Sequence, residues 1–180
     1  MLGLGSSLIT SNTPLNLTLL GTYTSDFSSD VDGWGDFGTF SGTQTLTANQ
    51  SIGGESAALK VSYDQDETIQ FGIKKDTPWG KNFEVGDFIT VDYKFYMEDA
   101  SPQDGTSFSA YFQAGSSFHS SRRVNVSGSD GAWVTSSATL QRISSGGNSD
   151  EMRFGFGFQL NAPGSGDAWY IKDIVIKHFR

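Results

Sequence analysis

The residues best suited to chemistry in this 180-residue chain are polar and aromatic side chains that alternate with apolar ones. A sugar site needs flat aromatic faces for stacking, planar polar groups for hydroxyls, and room for a ring to approach the backbone. Gly72, Gly155 and Gly157 would give that room if their strands are neighbours. We define a predicted sugar-binding set as Gln70, Trp79, Asp92, Tyr96, Tyr111, Gln113, Arg153 and Gln159.

This set has a plainer alternative. The outer face of any half-buried sheet is polar, and such a face need not bind anything. Trp79 lies in a turn segment and is either an exposed platform or a loop anchor. We expect Trp133 and Trp169 in the core and Trp34 packed under the first loop.

Catalytic patterns are missing from the sequence. The two histidines, His119 and His178, have no Cys, His or carboxylate at metal-ligand spacing. The chain has no Gly-x-Ser-x-Gly elbow and no phosphate-binding loop. Asp92 has no acidic partner on its own strand face, whereas a glycosidase needs two apposed carboxylates. We therefore predict a protein that is not an enzyme.

The elements that must position these residues are β-strands. Alternation marks residues 57–63, 67–74, 88–97, 107–113 and 153–160, and a weak pattern marks 37–46. Residues 133–140 and 168–179 are further candidate strands. With 22 Gly, 14 Phe and no convincing helix, this predicts nine or ten strands in an all-β sandwich of two antiparallel sheets. We expect Phe154, Phe156 and Phe158 in its core. Arg122 and Arg123 are predicted to lie in a solvated loop.

The net charge and the apolar runs of the chain limit the classes of partner that it can bind. The net charge of −8 and the pI of about 4.5 argue against nucleic acid as a partner. The longest apolar runs are too short to span a membrane, so no membrane partner is expected. The opening residues lack a basic region and a sustained apolar stretch, which predicts no signal peptide. The chain has no cysteine, hence no disulfide.

The first fourteen residues differ from the rest. Residues 1–14 carry no charged side chain and consist of Gly, Ser, Thr and Asn with spaced apolar residues. A free tail in water is usually more charged. We predict a docking arm over 1–14, on a partner or along its own domain, followed by one domain over 15–180. The docking residues would be Leu2, Leu4, Leu8 and Ile9.

Five segments in order resemble the jelly-roll carbohydrate-binding modules of the family 4/9/22 type, which are related to galactose-binding-like domains. They are residues 26–34 (DFSSDVDGW), 56–61 (SAALKV), 85–96 (VGDFITVDYKFY), 131–134 (GAWV) and 169–176 (WYIKDIVI). The resemblance covers the chain from about residue 26 to its end. It implies a jelly-roll fold and says little about the ligand.

The resemblance also implies a structural calcium site, from which this sequence departs. Ser28 stands where the family often has Glu, and Lys172 replaces the first Asp of the closing pair. The carboxylates left for calcium are Asp26, Asp30, Glu55 and Asp173. The alternative is ordinary turn and cap chemistry by these side chains.

The opening Met-Leu-Gly-Leu-Gly-Ser-Ser-Leu resembles the start of small structural proteins of tailed-phage virions. That resemblance covers about ten residues. It implies a non-catalytic virion protein, a capsid decoration or a head or tail fibre component, assembled with other virion proteins as an oligomer or array. Host-surface polysaccharide would be a further partner. The alternative is a stand-alone glycan-binding module without a structural role, located outside the cell.

Overall fold

The computed structural model describes residues 17–38, 43–63, 71–76, 84–98, 107–114, 117–125, 131–141, 150–156 and 168–180. These residues contain eleven strands. They are β1 (Leu19–Thr24), β2 (Gly35–Gly38), β3 (Gln44–Ile52), β4 (Glu55–Tyr63), β5 (Phe71–Asp76), β6 (Phe88–Met97), β7 (Ser107–Ala114), β8 (Ser117–Asn125), β9 (Trp133–Gln141), β10 (Asp150–Phe156) and β11 (Ala168–Phe179).

The strands form two antiparallel sheets, so the predicted all-β sandwich is confirmed. The six-stranded sheet runs β3-β4-β11-β6-β9, with β1 also paired to β11. The five-stranded sheet runs β2-β5-β10-β7-β8. The segment predicted over 37–46 is in fact the end of β2 and the start of β3. Arg122 and Arg123 belong to β8, so the loop predicted for them is wrong.

The core lies between the two sheets and follows from strand alternation. On β6 the alternate residues Ile89, Val91, Tyr93 and Phe95 are at most 1% exposed, while Asp92 between them is exposed. Phe154 of β10 is fully buried and its ring centroid lies 4.8 Å from that of Tyr93. This confirms Phe154 as a core residue. The side chain of Phe156 and all of Phe158 lie outside the described part.

β11 is the strand on which the six-stranded sheet depends. Its first half pairs with β4 and its second half with β1, while β6 runs along its other side. The register shifts between Lys172 and Val175, and Asp173 between them has a φ of 52°. Such a bulge bends a strand locally, which lets β11 serve two neighbours on one edge.

Candidate functional site

A row of residues crosses the outer face of the five-stranded sheet. Ile73, Met152 and Phe154 are buried in the core, so alternation puts Lys74 and Arg153 on the outer face. Backbone pairing then joins one residue from each of the five strands. This outer row is Gly35, Lys74, Arg153, Tyr111 and Ser121.

A second row beside it has fewer side chains, because two of its positions are glycines. Gly72 and Gly155 are direct register partners on β5 and β10, as the sugar-site prediction required. Ser109 pairs with Gly155 on the other side. Gly72 is buried, and its carbonyl accepts a hydrogen bond from Gln44 Nε2 at 2.8 Å, so the backbone is not open to a ligand at that position. Gly157 lies outside the described residues.

A third row on the opposite side of the outer row is acidic and polar. Asp76 pairs with Glu151, and Glu151 pairs with Gln113. The outer face of this sheet therefore presents cationic, carboxylate and amide positions within three neighbouring rows. Charged and planar polar groups of this kind suit hydroxyl recognition because they donate or accept in fixed directions.

A small cavity lies at the β2 end of the outer row. Its volume is about 270 Å³, and its lining consists of Gly33, Gly35, Lys74, Lys75 and Asp76. Gly33 belongs to a tight turn in which Asp32 and Gly33 both have positive φ and Trp34 N–H donates to Val31 O at 2.9 Å. That is the type I′ geometry that Asp-Gly favours.

Lys75 ties the two sheets together beside this cavity. Its ammonium donates to the Tyr23 hydroxyl and to Asp32 O, and lies 3.3 Å from the Asp32 carboxylate. It also sits 4.4 Å from the centroid of the Tyr23 ring. Burial, together with the hydrogen bond to Asp32, raises the pKa of Tyr23, so the phenol stays protonated at neutral pH.

Two members of the predicted sugar-binding set lie on the other sheet. Asp92 and Tyr96 are on β6, in the six-stranded sheet, so the expectation that they share a surface with Tyr111 and Arg153 is wrong. Tyr111, Gln113 and Arg153 do come together on β7 and β10. Gln70, Gln159 and Trp79 lie outside the described residues, as do Leu2, Leu4, Leu8 and Ile9 of the arm.

Tyr96 belongs instead to an aromatic row on the outer face of the six-stranded sheet. Backbone pairing joins Lys60, Tyr170, Tyr96 and Trp133 across β4, β11, β6 and β9. The Tyr96 ring centroid lies 5.5 Å from that of Trp133 and 5.9 Å from that of Tyr170. Trp133 is half-buried and packs against a hydrophobic cluster on this face that contains Tyr96 and Tyr170, and it does not lie in the core between the two sheets. Trp169 and Trp34 are buried, as predicted.

The β3–β4 turn covers the aromatic row. A Cβ at Gly53 would lie 2.8 Å from Tyr96 Cε2 and 2.9 Å from Trp133 Nε1. Trp133 Nε1 donates to Ile52 O at 3.0 Å. This cover leaves Tyr96 only 8% exposed, so its ring is not a platform for a ligand.

The lysine pair beside the aromatic row is neutralised by two of the predicted calcium ligands. Lys94 and Lys172 are register partners, and like charges in that position repel unless an anion lies between them. Glu55 lies 3.2 Å from Lys94 Nζ and 3.0 Å from Lys172 Nζ. Asp173 lies 3.2 Å from Lys94 Nζ. The hydrogen bond from Lys172 lowers the pKa of Glu55, which is therefore ionised at neutral pH.

The other two predicted calcium ligands make turns. Asp26 Oδ1 accepts from Ser28 N–H at 2.9 Å, and Asp30 Oδ1 accepts from Asp32 N–H at 2.7 Å. Among the residues that the structure describes, no three Asp, Glu or His side chains converge on one point. The four carboxylates thus do not fit a single calcium site, and calcium binding stays a prediction for experiment.

One buried ionic cluster was missed by sequence reasoning. Asp87 is 1% exposed, and its carboxylate lies 2.8 Å from His178 Nε2 and 2.9 Å from Arg180 Nε. Burial would raise the pKa of Asp87, but bonds from Arg180, the Glu84 backbone and His178 lower it to about 2. Local spacing could not reveal this cluster, because 91 residues separate Asp87 from His178.

Among known proteins, similarity to this chain is found in solved structures. No protein-family model matches the chain, and no curated protein matches its sequence. A cyclase from Fischerella sp. TAU is similar with a TM-score of 0.60 at 8% identity, covering 90% of this chain and 97% of that one. A carbohydrate-binding module of family 4 gives a TM-score of 0.55 at 11% identity, covering 88% and 94%.

A third similar structure is the xylan-binding CBM22-1 domain of Paenibacillus barcinonensis Xyn10C, with a TM-score of 0.51 at 12% identity, covering 89% of this chain and 94% of that one. The shared feature is the jelly-roll β-sandwich. Since one of these structures is called a cyclase and another a xylan-binding domain, the fold by itself does not assign an activity. Within the described residues there is no helix long and apolar enough to cross a membrane.

Proposed function

We propose that this protein is a non-catalytic glycan-binding module whose ligand lies on the outer face of the five-stranded sheet. The observation that carries this is the outer row beside the paired glycines Gly72 and Gly155. Tyr111 would stack on a sugar ring, Arg153 and Lys74 would donate to its hydroxyls, and Gln113 would bind from the next row. Gly155, which has no side chain and pairs with Ser109 of β7, would let the ring approach the backbone.

The contrast with the six-stranded sheet supports this choice of face. There, the aromatic rings at equivalent outer positions are covered by the β3–β4 turn and contact one another. A carbohydrate needs accessible aromatic faces, which that sheet does not offer at Tyr96. The similarity in fold to two carbohydrate-binding modules is consistent with the proposal.

The test is binding of the full chain to a glycan array, with isothermal titration against each polysaccharide that binds. Soluble xylan is the first to try, since the CBM22-1 domain is described as xylan-binding. Replacing Tyr111→Ala should lower the association constant by about 10- to 100-fold if the ring is a central contact. Lys74→Ala should weaken binding as well.

Lys60→Ala is the matched control, because Lys60 occupies an outer position on the other sheet. It should leave affinity unchanged. An array with no binder, or equal losses for Lys74→Ala and Lys60→Ala, would overturn the proposal. Turnover of any bound polysaccharide by the pure protein would overturn its non-catalytic part.

The virion role stays a prediction from the uncharged residues 1–14, which lie outside the described residues. It is compatible with glycan binding, since a particle can display such a module. Mass spectrometry of purified virus particles tests it directly, and absence of the protein from them would leave the stand-alone glycan-binding module.

A further inference from the structure

Two cationic residues stand side by side in the outer row of the five-stranded sheet. Lys74 of β5 and Arg153 of β10 are direct register partners, and both are half-buried. Like charges directly opposite one another on a sheet repel unless an anion lies between them. The other members of the row, Gly35, Tyr111 and Ser121, bring no charge. The charged positions of the outer row are therefore both cationic.

The other sheet shows how this chain holds a carboxylate between two such cations. Lys94 and Lys172 are likewise register partners, on β6 and β11. The Glu55 carboxylate lies 3.2 Å from the first ammonium and 3.0 Å from the second. Lys172 in addition donates to Ser56 O at 2.8 Å, so a cation that has one protein acceptor still binds a carboxylate.

Lys74 and Arg153 have enough donors for the same arrangement. Both residues also have interactions of their own within the protein. An ammonium has three N–H donors, and a guanidinium has five in a planar fork that matches the two oxygens of a carboxylate. A ligand carboxylate above the pair can therefore accept hydrogen bonds from both side chains.

The positions around this pair decide on which side of it a ligand anion can lie. The third row presents carboxylates at Asp76 and Glu151, which would repel the anion. The second row is uncharged at Gly155 and Ser109, and backbone pairing places Arg123 at the next position of that row. The side of the pair that faces Gly155 is therefore the favourable one, and it is also the side on which a side chain is missing.

The charge of the whole chain makes a preference for an acidic glycan informative. The net charge is −8, so the protein as a whole repels polyanions. General electrostatic attraction therefore cannot produce such a preference, whereas a local pair of cations can. At about 0.15 M salt the Debye length is about 8 Å, which screens the general repulsion more than a direct contact.

We propose that the glycan bound on this face is acidic, and that a uronate carboxylate lies between Lys74 and Arg153 on the side of Gly155. This deepens the glycan-binding function proposed above, on which it rests, by naming the group that the two cations hold. Arg153 supplies the planar fork and Lys74 the second charge, in the way that the lysine pair of the six-stranded sheet holds Glu55.

The test uses two polymers that differ only in the carboxyl group. Glucuronoxylan is compared with the same polymer after its uronate carboxyls have been reduced to alcohols, by isothermal titration with the full chain. The native polymer should bind about tenfold more tightly, as expected for one charge-assisted hydrogen bond. Arg153→Gln and Lys74→Gln keep polar side chains, so each should remove this preference and change the affinity for the reduced polymer by less than about twofold. That second result also shows that the variants are folded.

The matched control is Lys177→Gln. Lys177 is a half-buried cation between the buried Ile176 and His178 on the six-stranded sheet, and its register partners are Thr22 and Thr90. Because it has no cation opposite it in the register, its replacement should leave the preference unchanged.

Three results would overturn the proposal. Equal affinities for the native and reduced polymers would do so and leave the glycan-binding function standing, since both polymers still bind. A preference that survives both glutamine variants, or that falls equally in Lys177→Gln, would place the carboxylate elsewhere. If neither polymer binds, the glycan array decides: neutral binders alone overturn the acidic ligand, acidic binders with the same dependence on Lys74 and Arg153 support it, and no binder at all overturns the glycan-binding function as well.

Discussion

The two outer faces of this sandwich follow from the same strand alternation, but they differ in the side chains that they carry and in what covers them. On the six-stranded sheet, Tyr170, Tyr96 and Trp133 stand side by side and the β3–β4 turn rests on them. On the five-stranded sheet, the corresponding rows carry Lys74, Arg153 and Tyr111 beside Gly72 and Gly155. The β3–β4 hairpin covers the outer face of the six-stranded sheet, which we call the closed face. The outer face of the five-stranded sheet has two adjacent glycine positions instead.

The comparison shows that the size of the outer side chains, and not their polarity, decides whether a sheet face is covered. Aromatic rings at outer positions need cover, and a glycine at the tip of a turn lets the backbone come close enough to provide it. Glycines on the sheet itself, such as Gly72 and Gly155, contribute no side chain to the outer face. Three predictions test how firmly the six-stranded sheet and its covered face are held.

The largest effect is expected at Gly53. A Cβ there would lie 2.8 Å from the Tyr96 ring, and the φ of 59° is unfavourable for other residues. Gly53→Ala should lower the free energy of unfolding by about 2–4 kcal/mol, from backbone strain plus overpacking. Urea titration measures this. The control Gly54→Ala shares a positive φ but meets nothing within 4 Å, so it should cost about 1 kcal/mol. Equal costs would show that the turn does not press on the rings.

The next effect concerns acid. Because the folded-state pKa of Asp87 is about 2, below its ordinary 3.8, its contribution is present above pH 4 and is lost as pH falls towards 2. The loss should be about 2 kcal/mol at 1.36 kcal/mol per pKa unit. Urea titrations at pH 6, 4 and 2.5 measure it, with Asp87→Asn as the comparison. If the variant retains the same loss between pH 4 and 2.5, other carboxylates are responsible, and the cluster of Asp87, His178 and Arg180 stabilises the fold less than we infer.

The smallest effect is expected at Glu55, which latches the β3–β4 turn to Lys94 and Lys172. Its side chain is 30% exposed, so solvent screens these pairs. Glu55→Gln should cost about 0.5–1 kcal/mol in chemical denaturation, and less in 0.5 M salt. Asp173→Asn should cost less than Glu55→Gln, because Asp173 is 51% exposed. The reverse order would mean that Asp173 holds the lysines.

Much of the fold could be predicted because alternation is a local property. The pattern over 88–97 predicted β6 with its observed bounds, and the pattern over 168–179 predicted β11. β8 was missed because its serines and arginines have no alternating apolar residues. The boundary of β5 was displaced, since the predicted 67–74 segment gives way to Phe71–Asp76.

The candidate site was predictable only within one sheet. Tyr111, Gln113 and Arg153 come together because β7 and β10 happen to pair, whereas Asp92 and Tyr96 are lost to the other sheet. Strand order depends on non-local pairing, which alternation does not report. A signal for the closed face was present, however: Phe95, Tyr96 and Met97 are consecutive large apolar residues, as are Trp169, Tyr170 and Ile171. Such runs are typical of strands covered on both faces.

The pairing of Thr18 with Arg180 also determines how the domain would respond to a mechanical load. These two residues lie side by side at one end of the antiparallel pair β1 and β11. A force pulling them apart would act across that pair and break its hydrogen bonds one after another. The same strands pulled from opposite ends would have to shear many bonds together. A domain tethered through both of these residues would therefore peel open from β1 under tension long before its core gave way.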